Sequence, residues 1–409
     1  MIAAQKAGVF ALSLASHLAL IWFGLHAVAT PMGDITTAYQ PWFETFKANG
    51  ALLGINASWV YPLVALPAIL VPGFFADLVG IDFQTAWLTM SVLTDLIALG
   101  FLLGWRGKPS RARITAALAW ISLQFMLGPV AISRLDNLSV ALAIIAVAFL
   151  IKQRSAVATA VLTVATWLKV WPAALLLALL ASDKKPLKIF LAAAATSASL
   201  LLLAILAGGN WQVFSFLTAQ TDRGIQVEAP IAMPWLWQRT FGDETAGAYF
   251  SMTYLTFQVQ GVAVDLFAKL MSWVMLFALS ITGTLAWLAH RRIRHTAAEH
   301  KIRHEVFAWV AFTATLDLMV FNKVGSPQYF AWLFIPLVYA LLFKLPRWRW
   351  AITGVAALMP LTWMIYPVFY DDMLAGGWVG MSILTVRNLL EIALLVLANV
   401  RLTKLAKGA

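Results

Sequence analysis

The chain has no cysteine and very little charge. Of its 409 residues, 29 are Lys or Arg and 18 are Asp or Glu, so 11% are charged. Without cysteine there is no disulfide framework, no thiol nucleophile and no thiolate metal ligand. A soluble domain carries about 25% charged residues, so a water-soluble enzyme is excluded. The apolar runs are long and continuous instead of alternating, which argues against a transmembrane β-barrel. No P-loop, GxGxxG fingerprint or GxSxG elbow occurs. That disfavours a nucleotide-driven pump and a nucleotide-sugar enzyme. No internal repeat is evident, so the inverted-repeat signature of many transporters is absent as well.

What the chain has instead is apolar sequence. Hydrophobic residues make up 62% and the mean hydropathy is +0.82. Runs long enough to span a bilayer fall at roughly 8–29, 60–80, 84–104, 114–133, 137–151, 155–181, 189–207, 266–289, 306–321, 330–344, 350–369 and 379–400. The expectation is an all-α polytopic membrane protein with about twelve transmembrane helices, forming a single membrane domain over 1–409. The first run is about 20 residues long and is expected to be a span, not a removed signal peptide. Net charge is +11, but the basic residues cluster between apolar runs, where they set orientation. Nucleic acid is therefore not an expected partner; the lipid bilayer is.

Four basic clusters share one side if each run crosses once: Lys184 to Lys188, Arg291 to Arg303, Lys344 to Arg349, and Arg401 to Lys407. The positive-inside rule makes that side cytoplasmic, with both termini on it. Two clusters disagree, Arg106 to Arg113 and Lys152 with Arg154. They would join the others if the proline-rich run 60–80 were re-entrant and 155–181 were two helices broken at Pro172. Either way, two long segments face outward. They are 30–58, with an interfacial helix marked by Tyr39, Trp42, Phe43 and Phe46, and 208–265, too polar to cross. The C-terminal helices follow over 266–409.

Few ionisable residues lie outside the cytoplasmic loops. Asp34 sits just beyond the first span; its plain alternative is a helix N-cap. Tyr61 precedes Pro62 at the start of the next run. Arg223 lies in TDRGIQVEAP with Asp222, Gln226 and Glu228, and a guanidinium fork suits phosphate. An ordinary surface ion pair is the alternative. Lys323 lies in NKVGSPQYFAW with Ser326, Gln328 and Tyr329, against simple snorkelling. Arg134, Asp136, Asn137, Lys169 and Asp317 are intramembrane or nearly so and are candidates by that fact. Ambiguous topology ranks Arg134 and Lys169 lower. His290, His295, His300 and His304 share one basic loop without HExxH order, which reads as a solvated loop and not a metal site. Asp34 and Glu44 are weak evidence for a divalent ion.

An acidic residue early in the first outer loop, followed by an interfacial helix, resembles the layout of the GT-C glycosyltransferases. The segments VYPL, DRGIQVEAP and NKVGSPQYFAWL resemble glycosyltransferase family 87, with Tyr61-Pro62-Leu63 in place of the usual Tyr-Pro-Pro and ISRLDN where relatives often carry Gly-Gln. The resemblance implies a seven-helix module before the large outer loop, which favours single crossings. It implies an enzyme that moves mannose from polyprenyl-phosphate mannose to a lipid-linked glycan, of phosphatidylinositol mannoside or lipomannan type, at the outer face of the cytoplasmic membrane. It implies Asp34 as catalytic base. Arg223 and Lys323 are then candidates for the donor phosphate, and Tyr39, Tyr61, Gln226, Glu228, Ser326, Gln328 and Tyr329 for orienting substrate. No cofactor is expected. Alternatives are an arabinofuranosyltransferase using the corresponding polyprenyl donor, and a lipid or sugar-lipid transporter.

Overall fold

The computed structural model describes residues 2–27, 29–219, 221–293 and 299–408. His295 lies outside them. Among the described residues, six helices are long and apolar enough to cross a membrane: Gln5–His26, Phe83–Leu103, Pro186–Leu206, Val264–Arg292, Arg349–Val368 and Trp378–Lys407. They are not amphipathic in the manner of a soluble bundle. Exposed leucine, phenylalanine and tryptophan cover their outer faces, as a helix facing lipid requires.

The first helix, α1 (Ile2–His26), leads into a short π-helical turn at Ile35–Tyr39 and then α2 (Gln40–Asn49). Phe43 of α2 is buried against α3 (Ala65–Val79), where Gly73 admits its ring: a Cβ there would meet Phe43 at 2.4 Å. Next come α4 (Phe83–Leu103), α5 (Arg111–Leu127), the single turn α6 (Val130–Ser133), α7 (Leu135–Ile151), α8 (Ser155–Leu168), α9 (Ala173–Ser182) and α10 (Pro186–Leu206).

Side-chain contacts fix how these helices run. Lys6 Nζ donates to the Gly104 carbonyl at 2.5 Å, so α1 begins where α4 ends. Arg134, between α6 and α7, pairs with Asp34 beyond the other end of α1. Lys169, after α8, pairs with Asp136 at the start of α7 at 2.5 Å. Arg303 donates to the Ser182 carbonyl at the end of α9 at 2.7 Å. The run 155–181 is therefore two antiparallel helices turning at 169–172, where Pro172 leads into α9. The run 60–80 does not traverse the bundle. It starts with Val64 N–H donating to the Trp167 carbonyl and finishes with Asp77 paired to Lys47 of α2, both at the end that holds Asp34. The single-crossing expectation for both runs is corrected. With it, Arg106 to Arg113 and Lys152 with Arg154 join the other basic clusters at one end of the bundle.

The segment 208–263 is folded, not loose. It contains α11 (Met233–Thr240) and an antiparallel hairpin, β1 (Gly247–Ser251) with β2 (Thr256–Gln260), registered Gly247 to Gln260 and Ser251 to Thr256. This hairpin is a departure from an all-α chain. Phe250 and Phe257, opposite each other in register, meet edge to face at 5.1 Å. The remaining helices are α12 (Val264–Ile293), α13 (Glu299–Val320), α14 (Phe334–Leu342), α15 (Arg349–Trp363), the single turn α16 (Tyr370–Leu374) and α17 (Trp378–Lys407). A small core of Ile225, Val227, Trp235, Val259, Met373 and Met381 joins the 208–263 segment to the start of α17.

Inside the bundle, α1, α4, α5 and α7 are joined by a buried polar cluster. His17 Nε2 lies 2.9 Å from Asp95 Oδ2, and Gln124 Nε2 donates to the same oxygen at 2.6 Å. With its amide turned to donate, Asn137 reaches Asp95 Oδ2 at 3.1 Å. Replacing Asp95 by Ala removes the carboxylate at which His17, Gln124 and Asn137 meet. The expected loss is about 1–2 kcal/mol of stability, read from unfolding in detergent, with Asp95→Asn losing less. No difference between the two variants would show that the cluster does not hold the four helices together.

Candidate functional site

At the end of the bundle opposite the basic clusters, ionisable side chains gather in one polar layer. Asp34 does not cap its helix; it makes no side-chain bond to the helix backbone. It pairs through Oδ2 with Arg134 and remains 44% exposed. Arg134 is buried and donates to the Pro31 carbonyl at 3.3 Å. The first outer segment is thus held to the α6–α7 turn by a charge pair and a hydrogen bond, and an Arg in an apolar setting takes both acceptors from that one stretch, Pro31 and Asp34.

Two residues further on, Asp136 is buried in the first turn of α7, where the helix dipole favours a carboxylate. Its Oδ2 takes Lys169 Nζ and its Oδ1 accepts from Trp332 Nε1 at 2.7 Å. The Lys169 ammonium lies 5.3 Å from the centroid of the Tyr61 ring and 5.4 Å from that of Tyr329, both within cation–π range. Trp332 stacks on Tyr329 at 4.1 Å and on Trp171 at 5.5 Å. Tyr39 is buried nearby, its hydroxyl accepting from the Leu135 N–H at 3.3 Å. Tyr39, Tyr61 and Tyr329 are thereby brought to the same layer as Asp34.

Arg223 joins them. Its guanidinium lies 5.4 Å from the Tyr254 ring centroid, and its charge acts on Tyr61 and Tyr329, while burial lowers its own basicity. Lys323 is buried, donates to the Thr221 carbonyl at 2.7 Å and feels the charges of Asp222 and Arg223. Burial pushes the Lys323 ammonium below its ordinary value, with Asp222 opposing. Arg223 and Lys323 are therefore neighbours, although a hundred residues separate them. The bond from Gln226 N–H to the Lys323 carbonyl, 2.9 Å, joins their two loops. Gly325 is where the loops touch: a Cβ there would stand 2.2 Å from the Ala229 nitrogen.

The other expected site residues have structural partners. Gln226 Nε2 donates to Thr256 Oγ1 at 2.9 Å, tying the loop to the hairpin. Ser326 Oγ donates to Gln328 Oε1 at 2.9 Å, within their own turn. Glu228 is buried and taken by Arg387 of α17, which donates to its Oε2 at 2.6 Å and to its carbonyl at 2.7 Å. Burial raises the Glu228 carboxyl and Arg387 opposes that rise. Glu228 is thus placed as an anchor for the loop, not as a group open to substrate. Arg387 was not singled out in the sequence, but a charge inside the apolar run 379–400 was the available signal.

At the opposite end, His290 Nδ1 lies 2.9 Å from the Ala181 carbonyl and His304 Nδ1 lies 2.6 Å from the Tyr339 hydroxyl. Among the described residues no group of three or more His, Asp or Glu side chains is placed to hold a metal ion. Asp317 accepts from Thr282 Oγ1 at 2.6 Å between α13 and α12, away from the polar layer. No protein-family profile, curated protein or solved structure matches the chain.

Removing one partner of a buried ion pair strands the other. Arg387→Met should cost about 3–5 kcal/mol, measured by unfolding in detergent, and should loosen 208–263 to proteolysis. Lys47→Met, at the exposed pair with Asp77, should change neither readout. Equal behaviour of the two variants would show that the Glu228–Arg387 pair does not anchor the segment.

Proposed function

We propose that the chain is a membrane glycosyltransferase that transfers a sugar, mannose in the first instance, from a polyprenyl-phosphate carrier to a lipid-linked glycan. One observation carries this reading. A half-exposed carboxylate, Asp34, shares a polar layer with Arg134, Lys169, Arg223 and Lys323 at the end of the bundle away from the basic clusters. The positive-inside rule puts those clusters, and both described ends of the chain, on the cytoplasmic side. The polar layer is then extracytoplasmic. We read twelve crossings in the chain, with α3 peripheral.

The chemistry asks little more than the layer offers. An acceptor hydroxyl is a weak nucleophile and must lose its proton as its oxygen attacks the anomeric carbon. Asp34 takes that proton; Arg134 fixes the carboxylate through Oδ2 and leaves Oδ1 for the acceptor. The bond from the anomeric carbon to the phosphate oxygen breaks, and its electron pair leaves with the polyprenyl phosphate. Attack opposite the leaving group inverts the anomeric carbon. Charge developing on the phosphate is stabilised by Arg223 and Lys323, preorganised by their backbone and aromatic contacts. The phosphate is a good leaving group, so no general acid is needed.

A transporter of lipid-linked sugar is the second reading, favoured by the buried His17–Asp95–Gln124–Asn137 cluster among the bundle helices. Purified protein in vesicles separates the two: labelled donor either forms a new glycosidic bond or crosses unchanged. Polyprenyl-phosphate mannose and polyprenyl-phosphate arabinofuranose are tested side by side.

Asp34→Asn should lower transfer at least about 100-fold with donor binding kept and the chain still folded, although the lost charge partner of Arg134 lowers the unfolding midpoint. Undiminished transfer would remove Asp34 from the role of base. Burial lowers the Lys323 ammonium, so its charge is lost at lower pH than for a free lysine. KM for the donor should therefore rise as pH climbs through the alkaline range. Lys323→Arg should hold KM flat over that range; an identical rise in both proteins would dissociate Lys323 from the donor phosphate.

A further inference from the structure

His17 lies in the middle of α1 and Asp95 in the middle of α4, and each side chain is 1% exposed. The proposed reaction uses neither. Their contacts fix how many hydrogens the pair holds. His17 Nδ1 lies 2.8 Å from the Ser13 carbonyl. A carbonyl oxygen only accepts, so Nδ1 carries a hydrogen, and the Nε2 of a neutral ring would then present a lone pair. Yet Nε2 lies 2.9 Å from Asp95 Oδ2. A lone pair facing a carboxylate oxygen at that distance is repulsive, and it leaves an uncompensated charge among apolar helices. One further proton between Nε2 and Oδ2 removes both penalties. It makes the hydrogen bond and brings the pair to zero net charge. Turning the ring over does not avoid the requirement, because carbon atoms would then stand where both nitrogens now meet oxygen.

The neighbours place that proton on His17. Gln124 of α5 already donates to Asp95 Oδ2 at 2.6 Å, and the Asn137 amide of α7, turned to donate, reaches the same oxygen at 3.1 Å. His17 Nε2 is then the third donor to one carboxylate. Gln124 and Asn137 do not titrate, and α6, which also packs on α1 and α4, has no titratable residue. Asp95 supplies the charge that acts on His17. The other ionisable groups on elements packed against α4 have partners of their own. Tyr39, against Trp87 of α4 at 4.5 Å, takes the Leu135 N–H. Asp77 of α3 is paired with Lys47, Arg134 with Asp34, and Asp136 with Lys169.

We propose that the His17–Asp95 pair is a proton-binding site inside the bundle, and that release of its proton parts α1 from α4. The ligand is a hydrogen ion. While it is bound, a hydrogen bond joins the two helices. Once it leaves, as pH rises, a lone pair and a carboxylate oxygen face each other and the contact opens. The change reaches α7, because Asn137 shares the acceptor. Asn137 lies in the helix turn that begins at Arg134 and includes Asp136, its N–H donating to the Arg134 carbonyl at 3.0 Å. A proton bound in the bundle is thereby linked to the turn that carries two charges of the polar layer. This inference does not rest on the proposed transfer reaction.

The test uses the full chain in lipid nanodiscs and has two arms. The first is nuclear magnetic resonance at neutral pH with nitrogen-labelled histidine rings and carbon-labelled aspartate carboxyls. One histidine, identified by its loss in His17→Gln, should carry hydrogen on both ring nitrogens, and in Asp95→Asn it should carry one. A bare Nε2 beside a protonated Asp95 would still leave the proton in the pair and support the site. A bare Nε2 beside an ionised Asp95 would overturn it. The second arm is deuterium exchange of the α1 backbone from neutral into alkaline pH. It is read as the ratio of the native chain to the double variant His17→Gln, Asp95→Asn, so that ordinary base catalysis cancels. The double variant keeps a donor facing an acceptor but has no proton to release. The ratio should rise about tenfold, the worth of roughly one interhelical hydrogen bond, as the His17 signal loses its second hydrogen. Peptides from α10, which packs elsewhere on α8 and α9, should keep a ratio of one. A flat α1 ratio through that loss, or a His17 that keeps both hydrogens over the whole range, would overturn the switch.

Discussion

A carboxylate buried among apolar helices must be surrounded by donors, and Asp136 draws its donors from widely separated stretches of the chain. Lys169 comes from the turn between α8 and α9, and Trp332 from the turn before α14. Arg134 precedes Asp136 and reaches back to Asp34. Without Asp136, Lys169 would be a lone ammonium between two tyrosine rings, a costly arrangement away from water. The positions of Tyr61, Tyr329 and Trp332 follow from this one acid, because they pack around its counter-ion.

Asp136 also sets the depth of the layer. At about 1.5 Å per residue, α8 with 14 residues and α9 with 10 are shorter than the roughly 30 Å hydrocarbon core. Their neighbour α10, with 21 residues, reaches further. The turn at 169–172 therefore stops short, and Lys169 and Asp136 lie below the rim formed by the longer helices. The charges at this depth are tolerated because they are paired with each other within the protein. On the proposed function, a carrier with its tail in the bilayer would present its phosphate at that depth.

Much of this was legible in the sequence, and the failures have physical causes. Asp34, Arg223, Lys323, Tyr39, Tyr61 and Tyr329 stood out because ionisable or amphipathic residues are rare between apolar runs, and the fold brings them together. Arg134 and Lys169 ranked low because 155–181 is long enough to read as one crossing. Pro172 marked the break, but a proline alone does not say whether the chain kinks or turns back. The turn is decided by Lys169 meeting Asp136, a contact across 33 residues that no local pattern reports. Glu228 was misjudged for the same reason, since its partner lies 159 residues away. The hairpin at 247–260 had a local signal, alternating apolar residues in TFQVQ, that was hidden within a segment defined by its failure to cross.

The Glu228–Arg387 pair shows what such distant contacts accomplish. Net stabilisation by a buried ion pair is small compared with an apolar replacement; its cost when mismatched is large. Here it links the second outer segment to α17, while Gly325 lets the neighbouring turn approach the Ala229 backbone. A shift of the segment along α17 would strand both charges and force a collision at Gly325. The register is therefore chosen by the penalty for every other register. Arg223 and Lys323, five residues before Glu228 and two before Gly325, inherit that register and are held side by side without a bond between them.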